Sequence, residues 1–490
     1  MTPSTPRAPS RLDIAIAAYL ALPVFLFCGW LRWPAALIWI GLAAQGSIGV
    51  GAGLRLGPSG LRRRTIAALL AFALAWTALA GVGHFVYANA DWFTRDATLR
   101  DLVASSWPPA YDTGSPPLIL RAPVGYYLPS ALAGTLLGLR AADVALYLWT
   151  ALGLALFLAG AAALFPPGRQ RLLAVVMLVA FGGLDLAGQT LTRGQLPSLG
   201  EHIEWWAGLV QYSGQTTLLF WVPNHALPAW LGIVLVLRHW RQPMLARIAP
   251  LCAAAVPLWS PLAAIGLAPF FVMGIAWRRD GRALFSPRSA LPWYALAVVE
   301  ALYLTMDSHG IPGGWLPHRF PDFESFLRMY VLFCLLEFGL VAVALAMLGA
   351  DSPPLRLAVA VLLALPFVYF GQANDLVMRA SIPALAVLAL ATVAPLARRS
   401  GPLRWRIVLG VLLAVGVAGA AQEPERTLLQ PRWLPREASL AQLYRAGPQN
   451  RFRTLPPHYA GRLVSPLLAT VMREPGLVPP APSPSMEPRP

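Results

Sequence analysis

The residues with chemistry to offer are charged and polar groups placed at the edges of long apolar runs. The stretch ANADWFTRDATLRD, Ala88 to Asp101, follows one such run and holds three aspartates and two arginines between Asp91 and Asp101. At about 100° per residue a helix puts Asp91, Arg95, Thr98 and Leu102 on one face and Trp92, Asp96, Leu99 and Val103 on another. One account is structural: Asp91 caps the helix, and Asp91–Arg95 and Asp96–Arg100 are helical ion pairs. The other is chemical. Asp91 stands in a cleft at the membrane–water boundary as a general base or metal ligand, where a raised pKa suits base catalysis. Asp96 lies about 140° away on the wheel and is the second candidate carboxylate.

Four further groups invite the same two accounts. In GEHIEWW, Glu201 and Glu204 share a helix face beside His202, with Trp205 and Trp206 suited to an interfacial belt. These three polar residues alone make a weak metal site, because no fourth ligand sits at an obvious spacing. In WVPNHALPAW, His225 enters an apolar run at its end. In FGQANDLVMRASIPAL, Asn374, Asp375 and Arg379 occupy a short loop between two apolar runs. Arg379 can grip a phosphate with two donors or can pair with Asp375 at a helix start. Glu300 and Glu337 lie within apolar runs, where an ionisable group marks function by default. DSHGIPGGWLPHRF, Asp307 to Phe320, is a glycine-rich loop that can cover a site. No Walker A, HExxH, GxSxG or Cys/His zinc spacing is present.

The elements that hold these groups follow from composition. Of 490 residues 57% are hydrophobic and 12% charged, and mean hydropathy is +0.58. Soluble domains carry roughly 25% charged residues, so lipid is the solvent for most of this chain. The net charge is +16 and every basic residue is arginine. The arginines fall in clusters between apolar runs, which fits the positive-inside bias rather than nucleic acid. Arginine as the only base, with abundant Ala, Leu, Pro and Gly, suits a GC-rich bacterial genome. Cys28, Cys252 and Cys334 each fall inside an apolar run, which predicts buried thiols without disulfides.

Apolar runs at 12–31, 33–54, 65–88, 143–165, 171–188, 223–239, 246–259, 261–277, 289–306, 324–348, 355–371, 380–397 and 406–421 predict an all-α bundle of about 13 spans. The first run is read as a retained helix rather than a cleaved leader. The short run PVGYYLPSALAGTLLG, Pro123 to Gly138, sets the parity of everything after it. If it lies along the outer surface, the arginine clusters at 55–64, 166–171, 238–247, 278–288 and 398–406 all fall inside. The N-terminus is then cytoplasmic and the C-terminus outside. Three parts are expected: two N-terminal helices over 1–64, a core over 65–421 with an outer loop at 88–142, and a Pro/Arg-rich outer tail over 422–490.

An aspartate just past a span, an amphipathic helix, a Pro-rich link, the GYYLP helix and a span opening after LRAAD together resemble the GT-C superfamily of polytopic glycosyltransferases. The likeness is strongest over Ala88 to Phe165 and runs loosely to about residue 400. It implies a sugar donor carried on polyprenyl phosphate, an acceptor on the outer (periplasmic) face of a bacterial inner membrane, and Asp91 in the place of the family's catalytic aspartate. Arg379 is the candidate for the carrier phosphate, with Asn374, Asp375, His225, Glu201 and Glu204 as further substrate-binding candidates. A divalent cation is a possible cofactor. The chain departs from the family where an Asp-Glu or Asp-x-Asp signature is common: it reads DWFTRD, and two extra spans precede the loop. A transporter or flippase of a lipid-linked or anionic solute is the competing reading, favoured by the paired short runs around WSP at Trp259 to Pro261. A non-catalytic assembly partner is the third.

Overall fold

Apolar runs satisfy their backbone in lipid by forming helices, and the computed structural model is helical almost throughout. It describes residues 8–112, 116–276, 281–398, 401–435, 437–446 and 455–480. The first seven residues of the polar N-terminus, and Arg278, Arg279, Asp280 and Arg399 of the arginine clusters, lie outside the described residues. In chain order the helices are α1 Arg11–Leu26, α2 Trp33–Gly51, α3 Arg63–Leu79, α4 Asp91–Ala104, α5 Leu128–Leu137, α6 Leu139–Ala162, α7 Arg169–Ala180, α8 Asp185–Arg193, α9 Gln215–Trp221, α10 Pro223–Arg238 and α11 Pro243–Trp259. They continue as α12 Pro261–Ala276, α13 Leu291–Thr305, α14 Phe323–Cys334, α15 Leu340–Met347, α16 Pro353–Ala364, α17 Asp375–Ala380, α18 Ile382–Ala391, α19 Val393–Arg398, α20 Leu403–Leu429, α21 Leu440–Ala446 and α22 Pro466–Val471. The strands are β1 Pro109–Tyr111, β2 Leu118–Leu120, β3 Gly313–Trp315, β4 Val368–Phe370, β5 Ala460–Gly461 and β6 Gly476–Leu477.

Among the described residues, seven helical stretches are long and apolar enough to cross a membrane: Arg11–Trp30, Trp33–Gly51, Leu139–Ala162, Arg169–Arg193, Phe323–Met347, Asp375–Arg398 and Leu403–Leu429. The chain is an all-α polytopic membrane protein. Five more apolar helices have 10 to 17 residues, and α3 and α10 have 17 and 16. Helix length alone therefore does not fix the expected total of about 13.

Contacts divide the molecule into two rims. On one, Ser10 bridges to Gly57, Arg238 pairs with the buried Asp13 at 2.5 Å and reaches the Gly160 carbonyl at 3.5 Å, and Gln45 donates to the Pro287 carbonyl. The described residues of the expected arginine clusters between 55 and 64, 238 and 247, and 282 and 288 belong to this rim. On the other, the Arg32 amide donates to the Val471 carbonyl at 2.8 Å and Arg121 donates to the Leu304 carbonyl at 2.6 Å. A four-stranded sheet of order β5-β2-β1-β6 joins the loop after α4 to the C-terminal segment there. The chain from this loop to the tail therefore crosses the bundle an even number of times.

Three sequence-based boundaries are corrected. The helix expected to reach residue 88 stops at Leu79, because Gly81, Gly83 and His84 all have positive φ and turn the chain. The 124–139 segment does not lie flat on a surface. The Tyr126 hydroxyl shares a 2.7 Å hydrogen bond with Thr150, midway along α6, so the segment dips into the bundle. α5, only 10 residues and about 15 Å long, then returns to Gly138, whose φ of 92° makes a hairpin with α6. Finally, α20 runs on to Leu429, and the C-terminal segment beyond it is no loose tail. The Trp433 indole donates to the Ala88 carbonyl at 2.8 Å, and the Leu440 amide to the fully buried Asp101 at 3.0 Å. Burial pushes the Asp101 carboxyl up to about 6, against the pull of Leu440, Arg100 and Tyr111. α1 likewise packs against α6 and α11, so the N-terminal helices are part of the core.

Candidate functional site

The candidate site on the loop–tail rim, called the cleft below after its expected setting, starts at α4. Asn89, not Asp91, does the work of a cap: its Oδ1 accepts the Asp91 amide at 3.1 Å while its Nδ2 donates to the Phe220 carbonyl at 2.7 Å. Asp91 sits in the first turn with its side chain 47% exposed, held by Arg95 at 3.3 Å. The capping account of Asp91 is thereby replaced, and its carboxylate is open to a ligand. Arg95 is itself buried, and among the described residues its Nε and Nη1 have no hydrogen-bond partner. Burial would lower Arg95, but Asp91 and the neighbouring Tyr127, Tyr459 and Tyr126 hold it charged.

Two chain reversals make the floor. The Gly125 amide donates to the Leu258 carbonyl at 2.8 Å, which joins the dip before α5 to the turn between α11 and α12. His225, at the start of α10, shares a 2.8 Å hydrogen bond with Ser260 in that turn and a 3.1 Å contact with Asn224. Both Arg379 and Arg95 act electrostatically on the His225 ring. Arg379 is ion-paired with Asp375 one turn before it in α17, the pairing expected of a helix start. The tail supplies the last wall. Burial pushes the His458 imidazole down; Asp375 opposes this, while Arg379 and Arg121 reinforce it. Asp91 and Arg95 both act on Tyr459. Asp91, His225, Asp375 and Arg379, far apart in sequence, thus share one electrostatic neighbourhood with Arg95 and the tail.

Other expected residues lie elsewhere. Asp96 turns away from the cleft and is buried against His84 at 3.1 Å; His84 also meets Asp143 at 3.3 Å. Burial alone would lower His84, but the Asp143 hydrogen bond and Asp96 outweigh it and hold the imidazole up at about 9. The Asp96–Arg100 pair expected along α4 does not form, because Arg100 instead meets Asp101 at 3.1 Å and the Pro479 carbonyl at 2.8 Å. Asn374 is a structural tie: Nδ2 donates to the Leu209 carbonyl at 2.9 Å and Oδ1 accepts the Phe370 amide. Glu201 pairs with Arg193 at 2.6 Å and Gln189 at 2.8 Å. Glu204 is buried and accepts from the Gly214 amide and Gln211, each at 2.9 Å. Among the described residues neither glutamate has Asp91, Arg95, His225 or Arg379 among its hydrogen-bond partners. Glu337 is fixed by the Trp206 indole at 2.8 Å, and Glu300 is fully buried with neither carboxyl oxygen hydrogen-bonded among the described residues. Among the described residues no group of three or more His, Cys, Asp or Glu is arranged to hold a metal ion.

Sequence reasoning misses Arg95 as more than a salt-bridge partner, and misses His458 and Tyr459 altogether. The signal for Arg95 is its place one turn from Asp91 on the same face. For the tail pair there is none, since PPHY reads as an isolated turn.

No protein-family model and no curated protein matches the chain. Among solved structures it is similar to the arabinofuranosyltransferase AftD from Mycobacteria, with 19% identity and a TM-score of 0.38, over 74% of this chain and 27% of that one.

Proposed function

We propose that the protein is a membrane glycosyltransferase that moves a sugar from a polyprenyl-phosphate carrier to a hydroxyl acceptor at the loop–tail rim, the periplasmic side of a bacterial inner membrane. The observation that carries this reading is a half-exposed carboxylate, Asp91, paired with Arg95 in an electrostatic neighbourhood shared with His225 and Arg379. Glycosyl transfer from a phosphate needs these parts. Asp91 takes the proton of the acceptor hydroxyl as its oxygen forms a bond to the anomeric carbon. The bond from that carbon to the phosphate oxygen breaks, and the carrier phosphate leaves with the electron pair. One displacement inverts the anomeric centre. Preorganised cations aimed at the leaving oxygen supply the largest stabilisation in such a step. We assign this role to Arg95, two of whose buried nitrogens lack a hydrogen-bond partner among the described residues, and to Arg379, which acts with it on His225. The enclosing tyrosines exclude water and strengthen these charges.

Purified protein in lipid nanodiscs, given a panel of polyprenyl-phosphate sugars, tests the reading. Turnover by wild type with loss in Asp91→Asn is expected. Full turnover by the variant overturns the role of Asp91.

A transporter is the second reading, and one observation favours it. The stretch from α7 to α8 is broken at Phe181–Leu184, and Asp185, Glu204 and Glu337 are buried beside the break. Broken helices with buried carboxylates are the habit of ion-coupled carriers. Movement of a lipid-linked sugar across vesicles without transfer would select it.

A further inference from the structure

A second cavity opens beside the cleft and has no part in the chemistry above. Its volume is about 260 Å³, just below the roughly 300–1,000 Å³ of sites for drug-sized ligands. Leu209 and Leu316 give it an apolar floor, and Arg319, Tyr369, Gln372 and Asn374 give it polar edges. β3 and β4 shape it. In their antiparallel register Gly314 lies opposite Tyr369 and Gly313 opposite Phe370, so no side chain from β3 stands over the tyrosine at those two places. The Arg319 guanidinium lies over one face of the Tyr369 ring, 5.3 Å from its centroid, so a sugar meets the ring on the remaining surface. It forms no ion pair among the described residues, and Gln372 has no hydrogen-bond partner there. The Asn374 amide is already committed and fixes the wall.

The geometry points to a carbohydrate subsite, and we infer that it holds a neutral sugar ring of the acceptor. An aromatic ring offers its face to the C–H side of a sugar. A planar guanidinium and a planar amide offer paired donors and an acceptor to adjacent hydroxyls. A purely apolar ligand would strand Arg319 and Gln372. A phosphate would find one exposed arginine here, whereas the cleft next door offers two arginines that are more deeply held. The subsite is also in the right place. The turn from Gly371 to Asp375 is its wall, and Asp375 pairs with Arg379 of the cleft on the far side. A ring in the cavity therefore belongs to a glycan whose neighbouring unit reaches the cleft.

This inference rests on the glycosyltransferase reading for the word acceptor, but its test needs no turnover. Saturation-transfer NMR is run on the full chain in nanodiscs, where no detergent sugar competes. The probes are four methyl disaccharides: arabinofuranosyl, mannopyranosyl, glucopyranosyl and galactopyranosyl. At least one is expected to show saturation of its ring protons. Tyr369→Ala should weaken that binding about tenfold, and Gln372→Ala and Arg319→Ala by a few-fold. Inorganic phosphate should not displace the sugar. No saturation with any of the four, or equal saturation in Tyr369→Ala of unchanged thermal midpoint, overturns the subsite. Binding that survives while wild type turns over no donor sinks the transfer reading and leaves the carbohydrate site standing.

Discussion

Two groups of ionisable residues flank α9 and are built from the same residue types. In one, Glu423 accepts from His202 at 2.9 Å, Arg426 at 3.1 Å and the Trp221 indole at 2.7 Å. Arg426 also donates to the Gly200 carbonyl and lies over the Trp221 ring. In the other, among the described residues, Asp91 meets Arg95 alone and two guanidinium nitrogens of Arg95 go without a partner. The first group is closed: each carboxylate oxygen of Glu423 is satisfied within the chain. The second is open, although Arg95 is just as buried. Leaving a buried donor unmade costs about 1–3 kcal/mol, more for a charge. Other buried groups share this cost, among them Arg121 and Glu300; what sets Arg95 apart is the half-exposed Asp91 beside it.

The largest expected effect sets the two groups apart by activity. Asp91→Asn should lower transfer on the order of 10²–10⁴-fold and lower the thermal midpoint only slightly, because Asn89 already serves the helix start and the carboxylate is half-exposed. A large drop in the midpoint would make Asp91 a structural residue and erase the contrast. The mirror experiment is Glu423→Gln. It removes the charge from the closed group and should destabilise by about 1–3 kcal/mol, read as a lower midpoint, while transfer per folded molecule persists. Arg95→Gln comes next. With charge-assisted bonds worth about 1.5–3 kcal/mol, the KM for a polyprenyl-phosphate donor should rise roughly 10- to 150-fold. An unchanged donor KM would show that the open nitrogens await no phosphate.

The smallest effect concerns the support behind the open group. His84 has a folded pKa of about 9, above its unfolded value of about 6.5. Its stabilisation is therefore complete below about pH 6.5 and is lost as pH rises through about 9. Hydrogen exchange in α4 should quicken over that window, and His84→Gln should flatten the dependence. The groups facing His84 are Asp96, Asp143 and the rings of Trp92 and Trp433.

The sequence is informative where local physics decides. The helix expected from about Asp91 to Ala104 is α4, because alternating charge and apolar spacing has one helical solution. The Asp375–Arg379 pair is equally local. Legibility weakens where a partner comes from far along the chain. Helical spacing pairs Asp96 with Arg100, four residues away, whereas the fold pairs it with His84, which a positive-φ turn brings back. Glu204 resembles a surface carboxylate because nothing in GEHIEWW announces the Gly214 amide or Gln211. The tail looks separate in sequence since its strands are two residues long and pair only with β1 and β2. No periodicity survives in a two-residue strand.

That tail has a consequence for how the protein is made. Tyr459 and His458 complete a cleft whose carboxylate is synthesised about 370 residues earlier, a gap on the order of tens of seconds at about 5–20 residues per second. Until the final segment has been translated and moved to the side where Asp91 waits, the cleft lacks a wall and Arg121 lacks its cover. On the proposed reading, a nascent chain without this segment is unable to engage substrate. Fusing a domain that resists export behind the tail should trap an inserted bundle whose loop is sensitive to protease, with β1 and β2 unpaired at both edges.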